Sequence, residues 1–246
     1  MAAGFLQGFA SHPKIFGVVI ENGGQIVGSN FLDERDAIVG VGPITVDPAY
    51  QGKGAGRLLM QAVIERGKSA AGIRLVQDAF NTRSMSLYTS LGFDVKEPLA
   101  VMAGKPCSVL PADVDVRPLQ ESDLEECGAL CRKVHGFDRT GELRETSKMF
   151  ASQVLLRGGR IVAYMAAPPL WFLNHAVAET EQDLRDLVLG AAAASDAPLS
   201  FLLPTRQSDL FRWCLDEGLR MVKPMTLMAM REYHEPKGAW YPSVGY

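Results

Sequence analysis

The sequence predicts a mixed α/β chain built as two similar units in tandem, and three observations carry that expectation. Residues 15–102 alternate extended and helical patterns, residues 104–113 interrupt all periodicity, and the alternation resumes after residue 113 in a fuller form. The expected division is a unit over residues 1–104 and a second over residues 113–246.

Each element has its own signal. Ile15 to Glu21 is an apolar run ended by Asn22-Gly23-Gly24, and a second run follows from Gln25 to Asp33, so the pair reads as a β-hairpin. A third strand, Ile38 to Val46, is interrupted by Gly40 and Gly42-Pro43, which marks a bulge or the close passage of another backbone. From Gly54 to Arg66 the residues Leu58, Leu59, Ala62 and Val63 recur at helical spacing, with Gly67 as the cap. A short buried strand at Ile73–Gln77, a helix at Ser84–Leu91 closed by Gly92, and a strand at Phe93–Met102 complete the first unit.

Gly104-Lys105-Pro106 through Pro111-Ala112-Asp113 clusters turn residues and reads as a linker. Beyond it come strand Val114–Pro118, helices Glu121–Val134 and Gly141–Phe150, and strands near Val154–Leu156, Ile161–Ala166 and Trp171–Ala178. Helix Glu181–Ala194, strand Leu199–Leu203, helix Ser208–Glu217 and two closing strands to Tyr233 follow. Ser122 and Glu125 have the spacing of a capping box at the first of these helices.

Composition narrows the function classes. With 246 residues, 47% hydrophobic and 22% charged, the chain can bury one large core or two smaller ones. A formal net charge of −3 leaves no broad basic surface, so nucleic acid is not an expected partner. No apolar run approaches the roughly 18 residues that span a bilayer, and Met1-Ala2-Ala3-Gly4-Phe5 lacks the basic start of a secretory signal. A cytoplasmic protein with no membrane partner is expected. Cys107, Cys127, Cys131 and Cys214 form neither a CxxC pair nor a Cys/His framework, so they are expected as reduced thiols, with no metal site.

The segment that carries chemistry is Gln51-Gly52-Lys53-Gly54-Ala55-Gly56. Gly52, Gly54 and Gly56 alternate where strand gives way to helix, leaving backbone N–H groups free to converge on an anion at the positive end of the helix. Lys53 and Arg57 add charge there. A glycine-rich turn with no ligand would carry the same triplet, so spacing has to decide. The spacing fits neither the P-loop nor the dinucleotide fingerprint, which sets ATP and NAD aside.

Val46-Asp47-Pro48-Ala49-Tyr50-Gln51-Gly52-Lys53-Gly54-Ala55-Gly56-Arg57 resembles the coenzyme-A-binding signature of the GNAT (acyl-CoA N-acyltransferase) superfamily, Gln/Arg-x-x-Gly-x-Gly/Ala, filled here by Gln51, Gly54 and Gly56. Downstream, Asn81-Thr82-Arg83-Ser84-Met85-Ser86-Leu87-Tyr88-Thr89-Ser90-Leu91-Gly92-Phe93 is similar to the family's later segment. The resemblance covers Ile15–Met102 and is only architectural over Val114–Tyr233, where Ala176-Val177-Ala178-Glu179-Thr180 stands in place of the glycine loop. It implies a twisted, mostly antiparallel sheet flanked by helices in each unit. It also implies a truncated first unit, because the family begins with a strand and two helices and Phe5–Ala10 supplies at most the end of one helix, and a degenerate second unit without coenzyme.

The same resemblance implies acetyl-CoA as co-substrate, held by Ile44, Thr45, Val46, the loop from Gln51 through Gly52, Lys53, Gly54, Ala55 and Gly56 to Arg57, and by Asn81 and Arg83. Tyr88 matches the tyrosine that protonates the departing thiolate, and the Val46 N–H matches the oxyanion donor. No acid lies in Val39–Thr45 to act as base. Asp33, Glu34, Asp36 and Asp78 are near in sequence and are expected as loop carboxylates, with a water chain moving the proton.

In the second half, His135-Gly136-Phe137-Asp138-Arg139 reads either as a helix stop on Gly136 or as part of a shared cleft wall. Trp171, Phe172 and His175 are expected on one strand, with Trp171 and His175 on the same face, as core packing ahead of substrate contact. The tail from Pro236 to Tyr246 is expected to be irregular yet docked, because Trp240, Tyr241 and Tyr246 carry more apolar area than a solvated terminus displays. The function expected is transfer of an acetyl or small acyl group from acyl-CoA to a primary amine of a small molecule or peptide, by a monomer or homodimer. The rival is a coenzyme-binding sensor or pseudoenzyme.

Overall fold

A computed structural model describes the backbone of residues 2–245 and the side chains of residues 7–245; Met1 and Tyr246, both used in the sequence reading, lie outside the described residues. Helix α1 (Ala2–Ser11) leads into the hairpin β1 (Ile15–Asn22) and β2 (Gln25–Asp33), which pair antiparallel from Ile15↔Asp33 to Asn22↔Gln25. The expected third strand forms as two pieces, β3 (Ile38–Val41) and β4 (Thr45–Val46), on either side of Gly42-Pro43. Then come α2 (Ala55–Arg66), β5 (Gly72–Asp78), α3 (Thr82–Ser90) and β6 (Asp94–Gly104).

Past the linker the order is β7 (Asp115–Pro118), α4 (Leu124–His135), α5 (Thr140–Met149), β8 (Gln153–Arg157), β9 (Arg160–Met165) and β10 (Ala176–Ala178). Helix α6 (Glu181–Ala193), β11 (Leu199–Pro204), α7 (Ser208–Asp216), β12 (Arg220–Arg231) and β13 (Ala239–Tyr241) end the chain.

The first sheet has the order β1-β2-β3-β5-β12-β6-β11, with β4 beside β2; only β3 and β5 are parallel. The second, β13-β10-β9-β8-β7, is antiparallel throughout. Strand β12 lies between β5 and β6, and β11 lies beyond β6, so the first sheet takes strands from both sides of the linker. Separating the halves would break both ladders of a strand buried at the centre of the sheet.

Alternation along the strands sorts the core into faces. Ile73 and Leu75 of β5 pack beneath α2 and α3 with Met60, Val63, Tyr88 and Phe93. On the opposite face Val76 joins Leu99, Leu227, Trp240 and residues of α4. A third cluster sets α6 and α7 against Leu203, Phe201 and Tyr241.

Strand β13 pairs with β10 on one side and lies against β11 on the other. Tyr241 stacks on Phe201 with ring centroids 4.7 Å apart, and the Gln207 side chain takes both backbone groups of Trp240, donating to its oxygen at 2.6 Å and accepting from its N–H at 3.3 Å. The tail therefore fills the gap between β10 and β11. The expectation that it is docked holds, with Trp240 4% exposed, but its irregularity does not: Ala239–Tyr241 is strand because the edge of β10 supplies hydrogen-bond partners.

Other boundaries shift for local reasons. The strand expected at Trp171–Ala178 shrinks to Ala176–Ala178, since Ala167–Leu173 turns on the bonds Leu170 N–H to Ala167 O and Leu173 N–H to Leu170 O. The two closing strands are one, β12, carried past its irregularities by register shifts at Met221/Lys223 and Leu227/Met228. The capping box is built by Gln120 and Asp123, not Ser122 and Glu125, because a short 3₁₀ turn at Glu121–Asp123 precedes α4.

Candidate active site

Strands β3 and β5 run in parallel register for three pairs, Ile38↔Gly72, Val39↔Ile73 and Gly40↔Arg74. The chain then leaves β5 at Gly42 (φ 127°) and crosses toward β2, where Thr45 and Val46 pair with Ser29 and Gly28. Parting opens a wedge between Ile44–Val46 and the end of β5.

A cleft of about 520 Å³ opens beside Ile44 and Val46, on the side of α2 and α3. One wall is Ile44 and Val46; the next is Gln51, Gly52 and Gly54 with Gly56 and Arg57 from the first turn of α2. Asn81, Arg83 and Tyr88 close it from the side of α3. Ser84 and Leu87 also line it; the sequence reading missed them, although both stand at helical spacing from residues it had selected, Ser84 with Tyr88 and Leu87 with Arg83.

Three of the residues selected from sequence do not line the cleft. Thr45 turns its hydroxyl to Ser29 at 2.8 Å, Lys53 is exposed with its ammonium 5.5 Å from the Tyr50 ring centroid, and Ala55 opens α2 behind the loop. Backbone atoms of these residues remain part of the loop and strand that frame the site.

The loop is tied to the strand by Gln51, whose Nε2 donates to Val46 O at 3.1 Å. Gly54 caps α2 at φ 92°, in the left-handed region, and a β-carbon there would meet nothing within 4 Å. What the position requires is this backbone conformation, with open space in front of it. The N–H groups of the first turn of α2 have no partners within the helix and face the cleft with the positive end of the helix dipole. Arg57 sits beside them, donating to Ser90 Oγ at 2.7 Å. Asn81 caps α3, its Oδ1 accepting from Ser84 N–H at 3.1 Å.

Tyr88 is 6% exposed and packs edge-on against Phe93 at 6.4 Å. Burial raises its pKa above the ordinary value, partly offset by a hydrogen bond with Ser84. The phenol therefore stays protonated at neutral pH, as a proton donor must.

The acids named from sequence separate clearly. Asp33 pairs with Arg35 (2.9 Å), Glu34 with Arg66 (2.9 Å), and Asp36 is half-buried, accepting from the N–H groups of Gly141 and Glu142 at 2.8 and 3.0 Å. Asp33 is thus a buried partner and Asp36 a half-buried one that ties the loop to α5, in place of the solvated loop carboxylates expected. Asp78 ends β5 at the wedge, bonded to Lys223 at 2.5 Å. His135 and Arg139 do not reach the cleft: Gly136 stops α4 at φ 85°, the His135 ring lies 5.0 Å from that of Trp240, and Arg139 is buried against Glu142 and Ser243.

Residues 3–93 match the model of the acetyltransferase (GNAT) family. A mycothiol acetyltransferase of Nocardia farcinica is 40% identical over 63 residues, which is 25% of this chain and only 21% of that protein. A Pyrococcus horikoshii structure, described provisionally as an acetyltransferase, superposes with a TM-score of 0.79 over 98% of this chain and 83% of its own at 16% identity. A tandem GNAT protein from the clavulanic acid biosynthesis pathway superposes at 0.57 over 89% and 84%, with 13% identity. At such identities the structural likeness speaks for the fold alone. The family match falls on the residues that form the cleft, and it is on this ground that residues 3–93 belong to the acetyltransferase (GNAT) family.

Proposed function

We propose that the cleft binds an acyl coenzyme A and that the protein transfers an acetyl or small acyl group from it to a primary amine of a small molecule or peptide. The observation that carries this reading is the open, glycine-framed start of α2 on one wall of the wedge with a buried, protonated tyrosine on another. Phosphates fit the first and a departing thiolate fits the second.

In this reading the N–H groups of Gly52–Gly56, with Arg57 and Arg83, hold the coenzyme phosphates, while the strand at Ile44–Val46 offers backbone groups to the pantetheine and the Val46 N–H to the oxyanion. The neutral amine nitrogen attacks the thioester carbon, the C–N bond forms, the C–S bond breaks as the tetrahedral oxyanion collapses, the thiolate takes its proton from Tyr88, and the proton lost by the nitrogen passes through a water chain to solvent, from which Tyr88 is reprotonated. No metal is required.

We assign coenzyme binding to the unit over residues 1–104 alone. Two features of the unit over 113–246 support this: Ala176–Thr180 stands where a glycine loop would be needed, and β13 pairs with β10 and lies against β11, so that edge of β10 is already covered. No helix among the described residues is long and apolar enough to cross a membrane; we read the protein as cytoplasmic, as a monomer or homodimer.

The absence of any acid along Val39–Thr45 favours a second reading, a coenzyme-binding sensor without turnover. Titration with acetyl-CoA followed by thiol release with an amine panel separates the two. Thiol release matched by acylated amine in the mass spectrum is expected; tight binding with no release above the uncatalysed rate would leave the sensor.

A further inference from the structure

The face of the wedge turned away from α2 and α3 has its own chemistry. Ile73 and Leu75 face those helices, so strand alternation puts Val76 and Asp78 on the other side. Continuing the register Gly40↔Arg74 by four residues sets Asp78 level with Ile44, where the strands have already parted. Lys223 of β12 donates to the Asp78 carboxylate at 2.5 Å, and its ammonium lies 5.0 Å from the ring centroid of Trp171. Phe172 packs edge-on to Trp171 at 5.9 Å, and Val244 of the tail donates its N–H to Phe172 O at 2.9 Å, so an apolar wall stands beside the ion pair.

A carboxylate together with an aromatic face is the pairing that holds an alkylammonium ion, one by a charge-assisted hydrogen bond and the other by its ring quadrupole. Here the ammonium in that position belongs to the protein. Asp78 and Lys223 keep side-chain exposures of 36% and 31%, so water reaches the pair and the lysine stem can swing out.

We propose that Asp78 and Trp171 form the ammonium subsite for the acceptor, with Lys223 as a resident competitor that the substrate amine displaces. The wall of Trp171, Phe172 and Val76 selects a primary amine carried on an apolar stem. The inference rests on the acyltransferase reading above and adds to it a class of acceptor and the groups that hold it. A purely structural Asp78–Lys223 pair makes the opposite forecast, since removing either partner would then have the same consequence.

Calorimetric titration with phenethylamine, with 2-phenylethanol as the uncharged control, tests this without coenzyme or turnover. Lys223→Ala should tighten phenethylamine binding, and Asp78→Asn should weaken it by about tenfold or more, the scale of a hydrogen bond to a charged group. Trp171→Leu should weaken it too, and 2-phenylethanol should be indifferent to Asp78→Asn. Melting curves check that each variant is folded. No binding to the unaltered protein, no dependence on Asp78, or shifts of the same sign in Lys223→Ala and Asp78→Asn would overturn the subsite. Phenethylamine binding with this pattern beside absent acetyl-CoA turnover would instead uphold the subsite and remove the transferase reading.

Discussion

A β-carbon on Gly40 would lie 2.1 Å from the carbonyl oxygen of Gly245, so the last residues of the chain pass directly against the strand that leads into the cleft. The same segment has just filled the gap between β10 and β11, and Ser243 on the way accepts from Arg139 at 2.9 Å. One stretch of chain thus joins the second sheet to the back of β3.

Gly40→Ala should therefore cost about 1–3 kcal/mol, the usual scale of overpacking. In a chain ending at Val244 the same substitution should cost less than half as much, because the opposing backbone is gone. Thermal melts of the four proteins decide it. An equal loss in both backgrounds would show that something other than Gly245 excludes a side chain at Gly40.

Tyr88→Phe should lower turnover on the order of 10²-fold, within the range for a general acid, and leave acetyl-CoA affinity nearly unchanged. The ring remains to pack on Phe93, so stability should hold. Steady-state kinetics beside a binding titration make the measurement. Equal turnover for both proteins across the pH range would return Tyr88 to a packing role.

His135 supplies a pH test. Burial, with help from the charges of Arg139 and Arg74, lowers its pKa from 6.5 to about 3. The unfolded chain takes a proton below pH 6.5 that the folded chain refuses, so this contribution to stability is complete above pH 6.5 and is lost as the pH falls toward 3. The slope is about 1.4 kcal/mol per pH unit for one proton. Between pH 6.5 and 5 the melting temperature of His135→Phe should fall less steeply than that of the unaltered protein. Parallel curves would mean that His135 is not held neutral in the fold.

Much of this molecule is legible in its sequence. The cleft loop could be found because Gly52, Gly54 and Gly56 serve backbone geometry, which is written locally. Gly40 also announced itself as a close approach, though the approaching partner, Gly245, lies 205 positions away and no local pattern names it. The same limit hid the insertion of β12 between β5 and β6: its alternation says strand, and only the competition among edges decides where a strand pairs. The strand in the tail has no local signal, because Gly238 and Pro242 flank only three strand residues, and those three become strand through β10. The setting of Asp78 is not legible locally because its partner Lys223, and the Trp171 ring beside that ammonium, come from the far half of the chain.

Coenzyme binding as proposed here requires a single site per chain, at the start of α2. Calorimetric titration of the protein with acetyl-CoA tests it most directly, alongside a variant carrying Gly54→Val and Gly56→Val. These changes put branched side chains at a left-handed φ of 92° and 3.4 Å from Leu87 Cδ2, in the path of the phosphates to the backbone N–H groups. One equivalent should bind per chain, and the folded variant should show no measurable binding. A stoichiometry near two, or affinity untouched by the paired substitution, would contradict it.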